Sequence, residues 1–247
     1  MERLAFDQLA ELDQRHWWLR GRRAVNLGLL ARALERRPEN VLDLGCGPGG
    51  FLPGLAQLGR KVIAADSDFE SLAALAGHPR VQTVAEKLPF VAESFDLVCA
   101  FDVVEHLDDD VRALREVHRV LKPRGLVALS VPAYPWLYSN NDRIVMHRRR
   151  YTRKRLGAAL EESGFEILRN THTNVLLAPL IVPMALGIRA LEAAGLTNTD
   201  ASKTNLSWPL PRFAHDVLAR IFAAELVFTA RFDAPFGHSI AAIARKR

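Results

Sequence analysis

Short apolar runs and longer amphipathic stretches alternate along the first half of the chain, and their order predicts an α/β protein. Val41, Leu42 and Leu44 enclose a single acid, Asp43, and read as a buried parallel strand. Residues 61–65, 81–85, 95–101 and 125–131 read as the next four strands, with 95–101 apolar on both faces as a central strand is. Helices are expected from Phe51, over 68–76 and over 109–121. In the last of these, Val111, Leu114, Val117, His118 and Leu121 recur at helical spacing. Asp108, Asp109 and Asp110 suit its positive N-terminal end, and Lys122-Pro123-Arg124-Gly125 stops it. Every strand–helix–strand passage permits the right-handed crossover.

Residues 3–36 read as helical, with an aromatic break at His16-Trp17-Trp18 and Pro38 as the stop. Beyond Pro132 come Tyr134, Trp136 and Tyr138, then a run over 146–155 with six basic side chains, His147 and no acid. A helix is expected over 154–163 with Thr152 available as its N-cap, a strand over 165–169, a helix over 213–228 and a short strand over 239–244. Residues 175–191 are almost uniformly apolar and predict a helix buried against the sheet edge or a dimer partner. Because prolines and arginines lie nearby, a greasy acceptor channel or an interfacial patch are the alternatives. A polar, Pro-flanked connection over 192–211 follows.

The chemistry concentrates at 41–50, V-L-D-L-G-C-G-P-G-G. A strand, a glycine turn and a helix start make an anion or nucleotide site, because glycines let the backbone approach a ligand and the helix offers free N–H groups. Gly45, Gly47 and Gly50 satisfy G-x-G-x-x-G, and Asp66 ends the next strand where a ribose acid belongs. Two details point away from a dinucleotide: Asp43 would repel a pyrophosphate, and Pro48 removes an N–H donor. A cationic nucleoside bearing an amino acid suits this corner better.

Four ordered motifs carry a family resemblance: D-L-G-C-G-P-G at 43–49, A-E-K-L-P-F at 85–90, F-D-V-V-E-H-L at 101–107 and L-K-P-R-G at 121–125. The chain resembles the class I S-adenosylmethionine-dependent methyltransferases, of the ubiquinone-biosynthesis (methyltransferase type 11) group. The resemblance implies a Rossmann-like sheet of seven mostly parallel strands with an antiparallel C-terminal strand. It also implies N-terminal lid helices over 1–37, a methyltransferase domain over 38–247, and an acceptor-pocket loop with helical elaboration over about 132–230. S-adenosyl-L-methionine is the implied cofactor. Asp43, Gly45, Cys46 and Gly47 would form its corner, and Asp66 with Ser67 its ribose site. Ala85 and Glu86 would meet adenine through backbone, since Val84 stands where many relatives carry aspartate. Phe101 would lie by the methionine part, and Trp18 and Arg22 would close over it as a lid. Asp102, Glu105 and His106 match an acid and Glu-His set that binds a divalent metal in some quinone methyltransferases. The preferred reading is instead a hydrogen-bonded strand-to-helix turn with no metal. His106 and His147 are the candidate general bases, and Tyr134, Tyr138, Arg150 and Tyr151 the candidate acceptor-pocket residues.

Composition narrows this little further. The chain has 247 residues, 49% hydrophobic and 25% charged, which describes one globular domain with elaborations. Its net charge of +5 is modest, and with no N-P-P-Y or D-P-P-Y motif a nucleic-acid partner is not expected. Two cysteines, Cys46 and Cys99, form no metal or disulfide framework, so a reducing cytoplasm is expected. No signal peptide or membrane span is expected. The expected partner is a small or lipid-linked acceptor with an oxygen nucleophile, nitrogen and carbon being alternatives; peripheral membrane contact and a homodimer stay open. An NAD-dependent oxidoreductase, or a protein that binds the cofactor without transferring methyl, are the competing functions.

Overall fold

The computed structural model describes residues 10–195 and 209–247. Helix α1 (Trp17–Ala33) begins at the aromatic break, where the His16 ring accepts a hydrogen bond from the Trp18 N–H and caps the helix. The expected start at residue 3 lies outside the described residues. Then follow β1 (Asn40–Leu44), α2 (Leu52–Leu58), β2 (Lys61–Asp66), α3 (Phe69–Ala73), β3 (Arg80–Gln82) and β4 (Phe95–Phe101). After a 3-10 turn at Val104–His106 come α4 (Asp110–Val120) and β5 (Leu121–Pro132). A second 3-10 turn at Pro135–Leu137 leads to α5 (Asn140–Ile144), α6 (Arg153–Glu162) and β6 (Phe165–Thr173). The remaining elements are α7 (Ala178–Ala193), α8 (Arg212–Ala224), α9 (Leu226–Thr229) and β7 (Ser239–Lys246).

The seven strands form one sheet in the order β3-β2-β1-β4-β5-β7-β6. β1 to β5 are parallel, whereas β7 runs antiparallel to both β5 and β6. The order reverses between β1 and β4, and ligands of open α/β sheets bind outside the strand C-termini at such a point. The period of two in β4 sends Val98 and Ala100 to one face, under α4 and α6. Leu97, Cys99 and Phe101 go to the other face, under α1, α2 and α8. Helix α1 comes close to the C-terminal helices: a Cβ on Gly21 would stand 2.4 Å from the Phe222 ring, and one on Gly28 2.2 Å from Leu226.

Several boundaries differ from expectation for local reasons. β3 stops at Gln82 because Val84 and Lys87 bridge across a tight turn. β5 starts at Leu121, which pairs with Phe95 across a register shift. β6 continues to Thr173, carried by β7 beyond its own irregularity at Ile167/Arg169. The helix expected over 213–228 is broken at Glu225, whose buried carboxylate accepts the backbone N–H groups of Asn174 and Val175. The largest correction concerns α7. It does not bury itself against the sheet edge: within it only Ala178 is buried. Among the described residues, no helix is long and apolar enough to cross a membrane.

Candidate functional site

The ends of β1, β2 and β4 open into a cavity of about 1050 Å³. Its floor at one end is the glycine turn. Gly45 adopts φ +68°, donates its N–H to the Ala65 carbonyl, and has no room for a Cβ because Val103 would lie at 2.4 Å. Gly47 at φ +51° donates to Asp66 Oδ2 at 2.8 Å, while Asp66 Oδ1 accepts from the Asp68 N–H at 2.9 Å. Asp66 is therefore fixed by backbone donors and keeps lone pairs for a ligand. It is not a helix cap, since Asp68 fills that role by accepting from the Ser71 N–H.

Asp43 is buried, and its Oδ2 has no hydrogen-bond partner. Burial, then the Asp66 charge, push its carboxyl up to about 7. A buried acid facing a cavity without a donor is suited to an ammonium group. The same environment keeps the Cys46 thiol protonated, mainly through burial.

Ser67, Ala85 and Glu86 continue the wall around the corner. Trp17, Trp18 and Arg22 of α1 form the roof. Arg22 lies over the Trp18 ring at 4.7 Å and the Phe51 ring at 5.3 Å, and Phe51 stacks on Phe101 at 4.3 Å. The Arg22 guanidinium is ion-paired with Asp102, which sits at φ +56° and whose Oδ1 accepts from the Ser130 hydroxyl. Burial lowers the Arg22 pKa to about 10, so it remains charged at neutral pH.

The other end of the cavity is built by the loop after β5. Asp142 is its fully buried hub, accepting from the Ser139 N–H, from His147 Nδ1 at 2.8 Å and from Arg150 Nε at 2.8 Å. Burial alone would raise this carboxyl, but His147 and Arg150 hold it well below the usual range. The hydrogen bond to Asp142 leaves His147 Nε2 directed inward, 3.9 Å from Glu105 Oε1. The His106 ring meets His147 edge-on at 4.8 Å, and its Nδ1 donates to the Met146 carbonyl at 3.3 Å. Burial, then His147, lower His106 to about 3, so it is a neutral imidazole.

Glu105 is fully buried, and neither of its carboxylate oxygens has a partner. Burial pushes it up to about 8. The expected hydrogen-bonded turn at Glu105-His106 is therefore not made by the Glu105 side chain. The turn is closed by backbone, the His106 N–H donating to the Val103 carbonyl at 3.0 Å, while the Glu105 carbonyl accepts from the Arg148 N–H at 2.8 Å and so joins the turn to the loop after β5. Glu105, His106 and His147 place ligand atoms within 4.8 Å of one another, and are the group among the described residues that could hold a metal ion.

Arg150 reaches the cavity, but three of the expected acceptor residues do not. Tyr151 is fully buried and gives its hydroxyl to Asp110 at 2.6 Å. Tyr138 donates to the His147 carbonyl at 2.7 Å, so it supports the wall from behind. Tyr134 stacks between Trp136 and His172. In their place stand His238 from the segment before β7 and Leu218 of α8, which the sequence did not single out, and Ile181, Met184 and Ile188 of α7, from the apolar stretch whose alternative reading was a channel wall. Of the rest of the basic run, Arg148 also lines the cavity, and four arginines are ion-paired. Arg148 pairs with Asp108, Arg149 and Arg155 with Asp110, and Arg153 with Asp233. Thr152 caps α6 by accepting from the Arg155 N–H.

Residues 42–129 match a family model described as a methyltransferase domain. A malonyl-[acyl-carrier protein] O-methyltransferase of Enterobacter lignolyticus is 30% identical over 90% of this chain and 94% of its own length. A probable S-adenosylmethionine-dependent methyltransferase of Mycobacterium tuberculosis is 32% identical over 64% of this chain, and that match spans 58% of the relative. Among solved structures, one of a methyltransferase assigned as such in Bacillus halodurans aligns with a TM-score of 0.58 at 23% identity, over 88% of this chain and 96% of that one.

Proposed function

The chain belongs to the class I S-adenosylmethionine-dependent methyltransferases, and from that premise we propose that it methylates an oxygen nucleophile on a small or lipid-linked amphiphile. One observation carries this reading. A single cavity joins the Asp43–Asp66 corner to a second chamber that has a histidine pair at its base and apolar helices on its wall.

When bound, the cofactor supplies an electrophilic methyl group on a positively charged sulfur. In this proposal Asp43 receives the ammonium and Asp66 the ribose hydroxyls, while the backbone at Ala85 and Glu86 meets adenine. Arg22 serves the carboxylate, and Trp18 with the stacked Phe51 and Phe101 keeps water from the sulfur. Transfer then needs alignment and desolvation more than chemical activation. His147 takes the acceptor's proton on Nε2, because Asp142 fixes its Nδ1–H and stabilises the imidazolium that forms. His106, a neutral and poorly basic imidazole, orients the acceptor instead. Arg150 is a positioning residue acting through Asp142.

Calorimetry with S-adenosylhomocysteine and with NAD, alongside release of labelled methyl to a lipid extract, tests this directly. Asp66→Ala is expected to weaken S-adenosylhomocysteine by about tenfold or more, as loss of charge-assisted hydrogen bonds would. His147→Ala is expected to keep that affinity and lose transfer. Preference for NAD, or an Asp66→Ala affinity equal to that of the unmutated chain, would remove the assignment.

A further inference from the structure

Helix α8 is apolar on two faces. With about 100° between successive residues, Ala219 and Phe222 fall on one side, where they are buried and Phe222 packs against α1. Phe213, Val217 and Ile221 recur at every fourth position on the opposite side and face solvent, Phe213 at 71% exposure. A single exposed apolar residue needs no explanation, but an aligned stripe does. Helix α7 carries a second one, in Leu180, Met184 and Leu191. Leu180 is 64% exposed and yet lines the cavity, as does Met184, so these two side chains are the lip at which the chamber meets solvent.

The charges beside the α8 stripe are mostly basic. Arg212 and Arg220 are exposed next to the α8 stripe and form no ion pair with a described residue, and Arg189 on α7, which is half-buried, forms none either. The acid on that side of α8, Asp216, is bound to Arg20 at 2.5 Å and feels the Arg220 charge only as a weaker, longer-range attraction. Cationic side chains flanking an apolar stripe suit an interface in which the stripe enters acyl chains and the guanidinium groups stay among phosphates.

We propose that the outward stripes of α7 and α8 dock on an anionic lipid bilayer, and that the acceptor passes from that bilayer over the Leu180–Met184 lip with its apolar chain along α7. This rests on the reading of the second chamber as the acceptor site. The continuity of lip and chamber favours lipid over a second copy of the chain, which would seal the entrance. An amphiphile following this path would place its polar head toward His147 and Arg150 and leave its tail against Ile181, Met184 and Ile188.

The test is co-sedimentation of the full chain with vesicles of phosphatidylcholine, with and without phosphatidylglycerol, beside calorimetry with S-adenosylhomocysteine. The chain is expected to partition onto the phosphatidylglycerol vesicles and only weakly onto the neutral ones. A Phe213→Ser, Val217→Ser, Ile221→Ser variant and an Arg212→Glu, Arg220→Glu variant should each lose partitioning by about tenfold or more. Both should bind S-adenosylhomocysteine as before, since none of these five residues lines the cavity. No partitioning, equal partitioning onto both vesicles, or partitioning insensitive to either variant would overturn the proposal. So would a dimer in sedimentation velocity that the serine variant dissolves, since a second copy would then cover the stripes. Failure of the unmutated chain to bind S-adenosylhomocysteine would count against the methyltransferase reading alone, with docking still decided by the vesicles.

Discussion

A buried carboxylate that meets no donor destabilises the protein that carries it, and Asp43 is such a group. Its pKa is about 7 in the folded chain and 3.8 as a reference. Between those values the unfolded chain has released this proton and the folded chain retains it, so stability falls as pH rises through the window and levels off above about 7. Asp43→Asn is therefore expected to raise the unfolding temperature more at pH 8 than at pH 4, by an amount reflecting a few kcal/mol at most. Binding has the opposite pH dependence. An ammonium ligand needs the ionised acid, so S-adenosylhomocysteine affinity should climb from pH 5.5 to about 7 in the unmutated chain and stay low and flat in Asp43→Asn. Thermal unfolding and calorimetry across pH would check both; a flat profile in the unmutated chain would contradict the role given to Asp43. That Asp43, Gly45, Gly47 and Asp66 meet at one corner of the cavity was readable in sequence because glycine and acid spacing reports backbone demands directly. Tyr134, Tyr138 and Tyr151 were misread because an aromatic near a pocket loop can support the loop from behind as readily as line it. Asp142 was missed because an acid in a turn looks the same whether it is solvated or gathers a histidine and an arginine.

At the scale of elements, the roof depends on how closely α1 approaches α8 and α9. Gly21→Ala places a methyl 2.4 Å from the Phe222 ring, and Gly28→Ala places one 2.2 Å from Leu226. Each substitution should cost about 1–3 kcal/mol through overpacking. Gly21 neighbours Arg22, so its variant should also weaken S-adenosylhomocysteine binding, whereas Gly28→Ala should lower the unfolding temperature and leave binding near normal. Equal affinities in the two variants would mean that α1 does not position the roof. The strands and the amphipathic α4 were legible from periodicity. The break at Glu225 was not, since it is imposed by the Asn174 and Val175 N–H groups some fifty residues earlier in the chain. Nor was the exposure of α7, because apolar composition does not tell a buried helix from one lining an open chamber.

For the molecule as a whole, alternating elements and four ordered motifs were enough to anticipate a mostly parallel sheet, and with it the crevice at β1 and β4. The neighbours of β7 follow from longer-range geometry. β6 is joined to the sheet through β7, whose own pairings with β5 link Leu126 to Arg245 and Pro132 to Ser239. Such distant pairings are slow to form because loop closure precedes their reward. β6 lies at the margin of the sheet, and its amides are expected to exchange with deuterium through openings of lower free energy than those of β1 and β4. Uniform exchange protection across the three strands would rule this out. Because α7 follows β6 directly, the apolar wall of the cavity would then be the part that loosens first on heating, while the Asp43–Asp66 corner keeps its shape. A half-open protein of that kind could still carry its methyl donor, but would have nowhere to seat the molecule meant to receive it.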